Sequence, residues 1–327
     1  MNSKERVLAA LNMQQPDRVP FLDDVDPETM DVIMGKTDYT LAEFAQKLGL
    51  DGVSIRSYSA PAFYETHQGE DGRVFMGNGM IRQEKDLDLM VFPDPKKPGF
   101  FDELNRFVDD NGNAGLATYA EMRWGPSGAF YSMGMEPLAY ALFDNPKFVE
   151  KVLDRYAEYS IEILETINTI GLDFVITYDD ICYKNGPVMS PKFFREMFIP
   201  REKKVAEACK IPWVCHMDGN VTKILDDLLT LGMNGLHPIE PAPNLGLKEM
   251  KEKVGNKVCL WGNVDLNHIL PYGTVDEVEA DVKRCLLEGA GGGGYILGSS
   301  NGLPNYCKVE NILAMAQAVK KYGEYIF

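Results

Sequence analysis

Short apolar runs alternate with longer amphipathic stretches along most of the chain. Eight of the runs have the length and composition of buried strands: residues 18–24, 51–58, 115–122, 172–180, 212–219, 235–241, 257–265 and 293–300. Apolar residues at helical spacing fill most of the intervals between them. Residues 145–171, for example, begin with Asn-Pro and end with Gly, which are typical helix boundaries. Buried strands that alternate with amphipathic helices predict a parallel sheet covered by helices.

Eight such β/α units predict an α/β fold, a single (β/α)8 TIM barrel, with residues 1–327 as one domain. A doubly wound parallel sheet is the alternative. Residues 59–114 fit neither pattern, because they contain the hairpin-like stretch GEDGRVFMGNGMIRQEK and the Pro-rich stretch VFPDPKKPGF. We interpret these residues as an insertion between the second and third strands that covers one end of the barrel.

The composition narrows the class of partner. Asp and Glu total 49 against 33 Lys and Arg, which gives a formal net charge of −16. Such a surface repels phosphate backbones and anionic lipids, so we expect no nucleic acid and no membrane partner. The six cysteines form no CxxC pair, and the sequence has no signal-peptide core and no apolar run long enough to cross a bilayer. We therefore expect a cytoplasmic protein with free thiols that acts on a small molecule.

Polar side chains lie at the ends of most of the predicted strands, where the active sites of (β/α)8 barrels are found. The set is Asp23, Asp24, Arg56, Glu121, Arg123, Tyr178, Asp179, Asp180, His216, Asp218, Glu240, Asn263, Asp265, Ser299, Ser300 and Asn301. One polar strand end is weak evidence, because loops are polar in any protein, but their recurrence predicts a site at this end. Asp179 and Asp180 are adjacent and face opposite ways. We expect Asp180 to face the barrel interior.

The stretch WVCHMDGN places a histidine and an aspartate two residues apart at a strand end. His216 and Asp218 therefore share a face, and Glu240 ends the next strand. These three residues form a candidate zinc site, since zinc accepts imidazole and carboxylate ligands and catalytic zinc has three protein ligands. A hydrogen-bonded His–Asp pair without metal is the alternative. We interpret His237, within a strand, as a buried core histidine.

Several motifs resemble the uroporphyrinogen decarboxylase superfamily: NGPVMSPKFFREMFIPREKKVAEA, HMDGNVTKILDDLLTLGMNGLHPIEP, KVCLWGNVD, and the opening SKERVLAALNMQQPDRVPF. The resemblance covers nearly the whole chain and implies a (β/α)8 barrel with its site at the open end. The decarboxylases carry an Arg-rich MRQAGR-type segment after the first strand, which binds the acidic arms of a tetrapyrrole. This chain has FLDDVDPETM there, without arginine, which argues against that substrate.

The corrinoid-associated methyltransferases of the same superfamily bind zinc through a His-x-Cys motif and a Cys in a GCG turn after the last strand. The corresponding residues here are His216-Met217-Asp218 and Ser300-Asn301-Gly302. The histidine is kept, while Asp218 and Asn301 stand in the places of the two cysteines. Cys307 is an alternative ligand. This oxygen-rich set suits a methyl donor or acceptor other than a thiol.

The resemblance thus implies a methyltransferase that moves a methyl group from a small methylated substrate, such as an aromatic methyl ether, to a corrinoid carried by a partner protein. Zinc would act as the Lewis acid. The expected catalytic residues are His216, Asp218, Glu240 and Asp180. The expected substrate-binding residues are Tyr178, Arg56, Glu121, Trp124, Trp261, Asn263 and Asn301, with the three aromatic side chains packing on a ring.

Two alternatives stay open. The first is a decarboxylase-like lyase that acts on another small carboxylate, bound by Arg56 and Arg123. The second is a barrel that binds a ligand without catalysis.

Overall fold

The structure is a computed structural model that describes residues 1–56, 58–70, 72–241 and 246–325. Its strands are β1 (Gly52–Arg56), β2 (Tyr64–Gln68), β3 (Val74–Gly79), β4 (Ala117–Met122), β5 (Phe174–Tyr178), β6 (Cys182–Tyr183), β7 (Gly186–Pro187), β8 (Trp213–His216), β9 (Gly235–His237), β10 (Cys259–Trp261) and β11 (Tyr295–Ile296). Its α-helices are α1 (Ser3–Leu11), α2 (Pro27–Met34), α3 (Leu41–Leu48), α4 (Asp102–Gly112), α5 (Pro126–Met133), α6 (Met135–Asp144), α7 (Pro146–Ile170), α8 (Pro191–Phe193), α9 (Ile199–Ala208), α10 (Leu225–Leu229), α11 (Leu247–Val254), α12 (Ile269–Tyr272), α13 (Val275–Gly289) and α14 (Val309–Tyr322). A 3-10 helix covers Glu84–Leu89, and a π-helical turn covers Phe194–Phe198.

Seven of the eight predicted strands form one parallel sheet. Its order is β1-β4-β5-β8-β9-β10-β11, and helices lie between successive strands in the chain. All six strand pairings in this sheet are parallel. The predicted α/β fold with a parallel sheet is therefore confirmed, and because the strands run in one direction, their carboxyl ends lie at one edge.

The eighth predicted strand, residues 18–24, differs from the prediction. It is an extended segment that forms isolated bridges at Arg18, Phe21 and Val25. Its backbone nevertheless bonds to both edges of the sheet: Leu297 N donates to Pro20 O at 2.9 Å, and Asp51 N donates to Phe21 O at 2.8 Å. Pro20 has no N–H to donate, which is one reason that a regular ladder does not form.

A hairpin lies between β1 and β4 in the chain, where the sequence predicts an insertion. Its strands β2 and β3 pair antiparallel, and β2 begins at Tyr64, ahead of the stretch in which we expect the hairpin. The hairpin meets the end of α5, where Ile81 N donates to Ser132 O at 2.8 Å. A Cβ on Gly79 would lie 2.5 Å from that same oxygen, so this close approach requires glycine.

Two apolar layers cover the sheet. The larger lies between the strands and the surrounding helices. The smaller lies on the inner face of the sheet, where α1 packs Val7 and Leu11 against residues such as Phe174 and Val214. Tyr119 and Phe174 stack in this inner layer with ring centroids 4.5 Å apart. The inner face is thus filled with side chains below the strand ends, as a packed core.

The longest helix, α7, has the boundaries that its sequence predicts. The side chain of Asn145 accepts a hydrogen bond from Phe148 N at 3.3 Å, and the helix ends at Gly171 with φ of 100°. None of the described helices is both long and apolar enough to cross a bilayer. The six cysteines all have free thiols.

A buried ionic cluster holds the amino-terminal segment against β1. Asp51 is fully buried and accepts hydrogen bonds from Arg6 Nη1 at 2.7 Å and from Arg18 Nη1 and Nη2 at 2.8 Å. Phe21 N donates to the same carboxylate at 2.8 Å. One acidic side chain therefore joins α1, the bridging segment and the first strand of the sheet.

Asp23 is a second buried carboxyl group in the bridging segment. It accepts hydrogen bonds from Ser299 N at 2.7 Å and Ser299 Oγ at 2.8 Å, so it ties this segment to the chain after β11. Burial raises the pKa of Asp23 to about 7, and the two bonds from Ser299 oppose that rise.

We predict that Asp51→Asn lowers the free energy of unfolding by about 3–5 kcal/mol, because the variant removes the buried carboxylate that pairs with both Arg6 and Arg18. Chemical denaturation monitored by circular dichroism measures this. The matched control is Asp17→Asn, which removes the other carboxylate of Arg6. Its side chain is 45% exposed, so we expect a loss below about 1 kcal/mol. Equal losses in the two variants would contradict the role of Asp51.

We predict that Asp23→Asn removes part of the pH dependence of stability. The folded protein holds a proton on Asp23 up to about pH 7, whereas an ordinary aspartate loses it near pH 3.8. Unfolding therefore releases a proton between these values, and the wild type loses stability as pH rises through this window. Asparagine has no such proton, so the stability of the variant relative to wild type should grow by a few kcal/mol from pH 4 to pH 7. Denaturant midpoints across this range test it, and parallel curves would disprove it.

Candidate active site

Four side-chain rings form a row across the inner face of the sheet, at the carboxyl ends of four neighbouring strands. Tyr178 pairs in register with His216, and His216 with His237. The Tyr178 ring stacks on His216 with centroids 4.0 Å apart, and His237 lies 4.8 Å from His216 and 4.5 Å from Trp261. Residues paired across parallel strands face the same side, which explains how distant chain positions produce one row.

A hydrogen bond between the two histidines orients the imidazole of His216. The Nδ1 atoms of His216 and His237 lie 2.7 Å apart, so one of them donates and the other accepts. Burial, together with the neighbouring His216, holds the pKa of His237 well below its usual range. An uncharged His237 can accept a hydrogen bond at Nδ1 from His216 Nδ1, and in that arrangement Nε2 of His216 is the ring atom that faces the neighbouring side chains.

Two carboxylates lie beside that Nε2 atom. Asp218 Oδ1 is 3.3 Å from it and Asp180 Oδ1 is 3.6 Å from it. These three residues each offer one ligand atom, and the atoms lie within 4.8 Å of one another. Glu240, which we expected as the third ligand, lies outside this group of three. Its Oε2 accepts a hydrogen bond from Gly219 N at 2.8 Å. Cys307 is also outside the group, and burial raises the pKa of its thiol to about 12.

The loop after β8 holds Asp218 in place. Asn301 Nδ2 donates to both carboxylate oxygens of Asp218 at 3.0 Å, and Asp218 N donates to Asp180 Oδ1 at 3.3 Å. Gly219 has φ of 78°, and a Cβ there would lie 2.7 Å from the backbone of Tyr183. This tight turn therefore requires glycine and fixes the approach of Asp218 to the cluster.

The cluster is strongly acidic for a partly buried site. Burial raises the pKa of Asp180, and the adjacent Asp218 raises it further, while His216 and Arg123 oppose the rise. Burial also raises the pKa of Glu240, again with a contribution from Asp218. These carboxyl groups repel one another, so protons or a cation are favoured among them.

Asp179 points away from this cluster. It is buried and accepts hydrogen bonds from Trp124 N at 3.1 Å, Ser127 N at 3.2 Å and Ser127 Oγ at 3.0 Å, at the start of α5. Trp124 itself is fully buried and packs on Trp213 in the layer between sheet and helices, with ring centroids 4.7 Å apart. Of the three aromatic residues that we expected around a substrate ring, Tyr178 borders a cavity, while Trp124 and Trp261 are buried.

The charged residues at the ends of β1 and β4 form a chain of contacts. Arg56 Nε donates to Glu121 Oε2 at 2.9 Å, and an Nη atom of Arg56 donates to Asp24. The other oxygen of Glu121, Oε1, is buried and has no hydrogen-bond partner among the described residues. The guanidinium of Arg123 lies over the Tyr131 ring, 5.5 Å from its centroid.

Two cavities border these residues. One of about 480 Å³ is lined by Arg56, Tyr58, Ser59, Glu121, Met122, Arg123 and Tyr178. The other, of about 390 Å³, lies between the hairpin and α5, with Asp180 in its wall together with Met76, Phe130, Tyr131 and Met133. Both volumes suit a small organic molecule.

The remaining candidates lie apart from the cluster. Asn263 is buried, and its amide groups bond to Ile239 O and to Arg284 in the body of the protein. His268 is 83% exposed beside Asp265. The residue whose role sequence reasoning missed is His237. One signal was available in the sequence: His237 lies near the end of the apolar run that follows the run of His216. Neighbouring parallel strands end side by side, so the two histidines could be expected to lie close together.

Comparisons with known proteins agree with this architecture. The structure superimposes on that of a methyltransferase from Methanosarcina mazei with a TM-score of 0.77. The superposition covers 98% of this chain and 99% of that one, and the two sequences are 24% identical. Methylcobamide:CoM methyltransferase MtaA of Methanosarcina barkeri is 28% identical over 173 residues, which are 53% of this chain and 49% of that protein. Uroporphyrinogen decarboxylase of Pseudoalteromonas atlantica is 24% identical over 215 residues, 64% of this chain and 56% of that one.

The matched region spans about half the length of these curated relatives, which include both methyltransferases and decarboxylases. Residues 122–322, most of the chain, match the family described as Uroporphyrinogen decarboxylase (URO-D). This matched region contains the row of rings and the His216 cluster. The chain therefore belongs to the uroporphyrinogen decarboxylase family.

Proposed function

We propose that this protein is a methyltransferase that removes a methyl group from a small methylated substrate, such as an aromatic methyl ether, and transfers it to a corrinoid on a partner protein. The observation that carries the proposal is the cluster of Asp180, His216 and Asp218. It contains His216 and Asp218, which by resemblance correspond to the His-x-Cys zinc motif of the superfamily's corrinoid methyltransferases, with a carboxylate where that motif has its cysteine, and Asp180 adds a second carboxylate. The similarity to methylcobamide:CoM methyltransferase MtaA supports the same class.

The donor set of this cluster fits a divalent metal. Two carboxylate oxygens and one imidazole nitrogen are ligands that zinc accepts, and the three atoms lie within 4.8 Å of one another. The hydrogen bond from Nδ1 of His216 to His237 is the outer contact that metal-binding histidines usually make. We assign the third ligand position to Asp180 instead of Glu240, because the carboxylate of Asp180 lies 3.6 Å from Nε2 of His216. A bound zinc ion supplies a Lewis acid for an ether oxygen.

The chain's own residues then have separate roles. Asp180, His216 and Asp218 hold the metal, and Asn301 fixes the carboxylate of Asp218. Glu240 has one oxygen bonded to Gly219 N, so its carboxyl group is held beside the cluster by the turn that carries Asp218. We assign to Glu240 the donation of a proton to the departing alkoxide or phenoxide, which otherwise leaves poorly.

We also propose that the chain forms one complete (β/α)8 barrel in which residues 18–24 take the place of the first strand. The backbone bonds that join this segment to both sheet edges support it. The corrinoid partner would then approach at the carboxyl ends of the strands, where the cluster lies. In the cell we place the reaction in the cytoplasm, in keeping with the free thiols.

We predict that the purified protein binds about one zinc per chain. His216→Ala and Asp180→Asn should each weaken zinc binding by more than about 100-fold, because each variant removes one of three ligands. His268→Ala is the matched control, since this exposed histidine lies outside the cluster. Elemental analysis and competition with a chromophoric chelator measure the affinity. Unchanged affinity in both ligand variants would refute the assignment.

We predict a smaller, graded effect at His237. His237→Leu removes the acceptor for His216 Nδ1 and should weaken zinc binding by about 10- to 100-fold. His237→Asn places an oxygen near the former Nδ1 position and should restore most of the affinity. The same chelator competition measures both variants. Equal losses in the leucine and asparagine variants would point to a packing role instead.

We predict that the zinc-loaded protein methylates reduced cobalamin in the presence of an aryl methyl ether, followed by the change from cob(I)alamin to methylcobalamin absorbance. Glu240→Gln should slow this reaction by about 10²-fold or more, because it lacks the proton for the leaving group. Absence of methyl transfer from every ether, amine and thiol donor would refute the proposal. Release of carbon dioxide from a small carboxylate without cobalamin would support the decarboxylase alternative.

A further inference from the structure

The cavity of about 480 Å³ beside Tyr178 contains two polar groups that the protein leaves unmatched. The first is the carboxylate of Glu121. Its side chain is only 4% exposed, Oε2 accepts a hydrogen bond from Arg56, and Oε1 has no partner in the part of the chain that the structure describes. A buried acceptor without a donor is costly, and it points to a ligand that supplies a hydrogen-bond donor at this position.

The second unmatched group is the guanidinium of Arg123. Among the residues that the structure describes, it donates no hydrogen bond and forms no ion pair, and its contact is with the face of the Tyr131 ring. Arg56, the other arginine of the cavity, is occupied by Glu121 and Asp24. Its charge also acts on nearby Asp180 without a hydrogen bond between them. A guanidinium with its donors unused presents a fork that matches a carboxylate, which makes Arg123 the candidate anion-binding group of this cavity.

The walls of the cavity favour a flat ring between these two groups. Tyr58, Met122 and Tyr178 line it, and the ring of Tyr178 stacks on His216, the central residue of the cluster. Tyr178 is therefore both part of the cavity wall and a direct neighbour of the cluster. The volume holds a single substituted ring, and aromatic side chains pack well on such a ligand.

We propose that this cavity binds an aromatic carboxylate that carries a hydrogen-bond donor, with the carboxylate on Arg123 and the donor on Oε1 of Glu121. Where the proposed function holds, this names its substrate class: a methoxylated benzoate with a hydroxyl or ammonium substituent. The pairing also explains why an acidic protein accepts an anion here, since Arg123 supplies local positive charge within a negative surface.

The test is isothermal titration calorimetry without corrinoid, with the 3- and 4-hydroxybenzoates, 3- and 4-(aminomethyl)benzoate, benzoate, phenol and the methoxybenzoates as ligands. We expect at least one hydroxybenzoate or aminomethylbenzoate to bind about tenfold or more tightly than benzoate, which lacks the donor, and phenol, which lacks the carboxylate. The better of the two donor types identifies whether Glu121 receives a hydroxyl or an ammonium group.

Two variants separate the contributions. Arg123→Met keeps an unbranched apolar side chain but lacks the guanidinium, so it should weaken hydroxybenzoate binding by about tenfold while leaving the affinity for phenol unchanged. Glu121→Gln can turn its oxygen to Arg56 and its NH2 to the cavity, so the preference for a hydroxyl over a methoxyl substituent should disappear. The control is Arg106→Ala, which removes one positive charge from the exposed face of α4, outside the cavity, and should bind like wild type.

Hydroxybenzoate affinity that is the same in wild type, Arg123→Met and Glu121→Gln would overturn the proposal, as would no binding of any carboxylate up to about 10 mM by folded wild type. Zinc affinity and circular dichroism establish whether each variant is folded. If Glu121→Gln does not fold, Arg123→Met alone decides the outcome. Selective binding without methyl transfer would refute the proposed function and support this site. Demethylation of uncharged methoxybenzene as fast as that of a methoxybenzoate would refute this site and support the function.

Discussion

Backbone hydrogen bonds through residues 20–25 join the two edges of a seven-stranded parallel sheet, and the rest of the structure depends on this junction. Unpaired strand edges are unfavourable, and in this chain an irregular segment satisfies both of them. Two buried carboxyl groups fix this segment. Asp51, just before β1, accepts a hydrogen bond from Phe21 N, and Asp23, within the segment, accepts one from Ser299 N. By holding both edges, it keeps the sheet curled, and a curled parallel sheet brings its carboxyl ends toward a common centre.

The side chains around that centre become more polar from the inner face of the sheet toward the carboxyl ends of the strands. Below it, α1 and the inner layer of apolar side chains exclude water. At the strand ends, the row of rings presents His216 with one nitrogen bonded to the uncharged His237 and the other facing two carboxylates. Above it lie the partly exposed Asp218 and Glu240. An imidazole held in this way has a fixed direction, because its neighbour cannot move without disturbing the sheet. This support does not depend on which side chain stands at position 218.

Much of this arrangement could be predicted from particular residues. The run from Trp213 to His216 was a strand because its apolar residues are continuous and bounded by glycine and polar residues, and the same reasoning located six other strands. His216 and Asp218 were expected to meet because residues two apart share a face. Residues 18–24 form a less regular strand than their apolar pattern suggested, because Pro20 interrupts the ladder of backbone hydrogen bonds. Glu240 was expected beside His216 from the order of strands, whereas its carboxylate bonds to the turn at Gly219.

The sequence by itself determined the alternation of strands and helices, the acidic surface and the face on which His216 lies, because these follow from local periodicity and composition. Only the tertiary structure decided which side chains meet. Asp180 reaches His216 and His237 orients it, although these residues are separated by tens of positions in the chain. Within the described residues, one oxygen of Glu121 has no hydrogen-bond partner and the guanidinium of Arg123 forms no ion pair. Such contacts depend on strand register, loop path and rotamer, which the pairing of the whole sheet sets and which no single stretch of sequence contains.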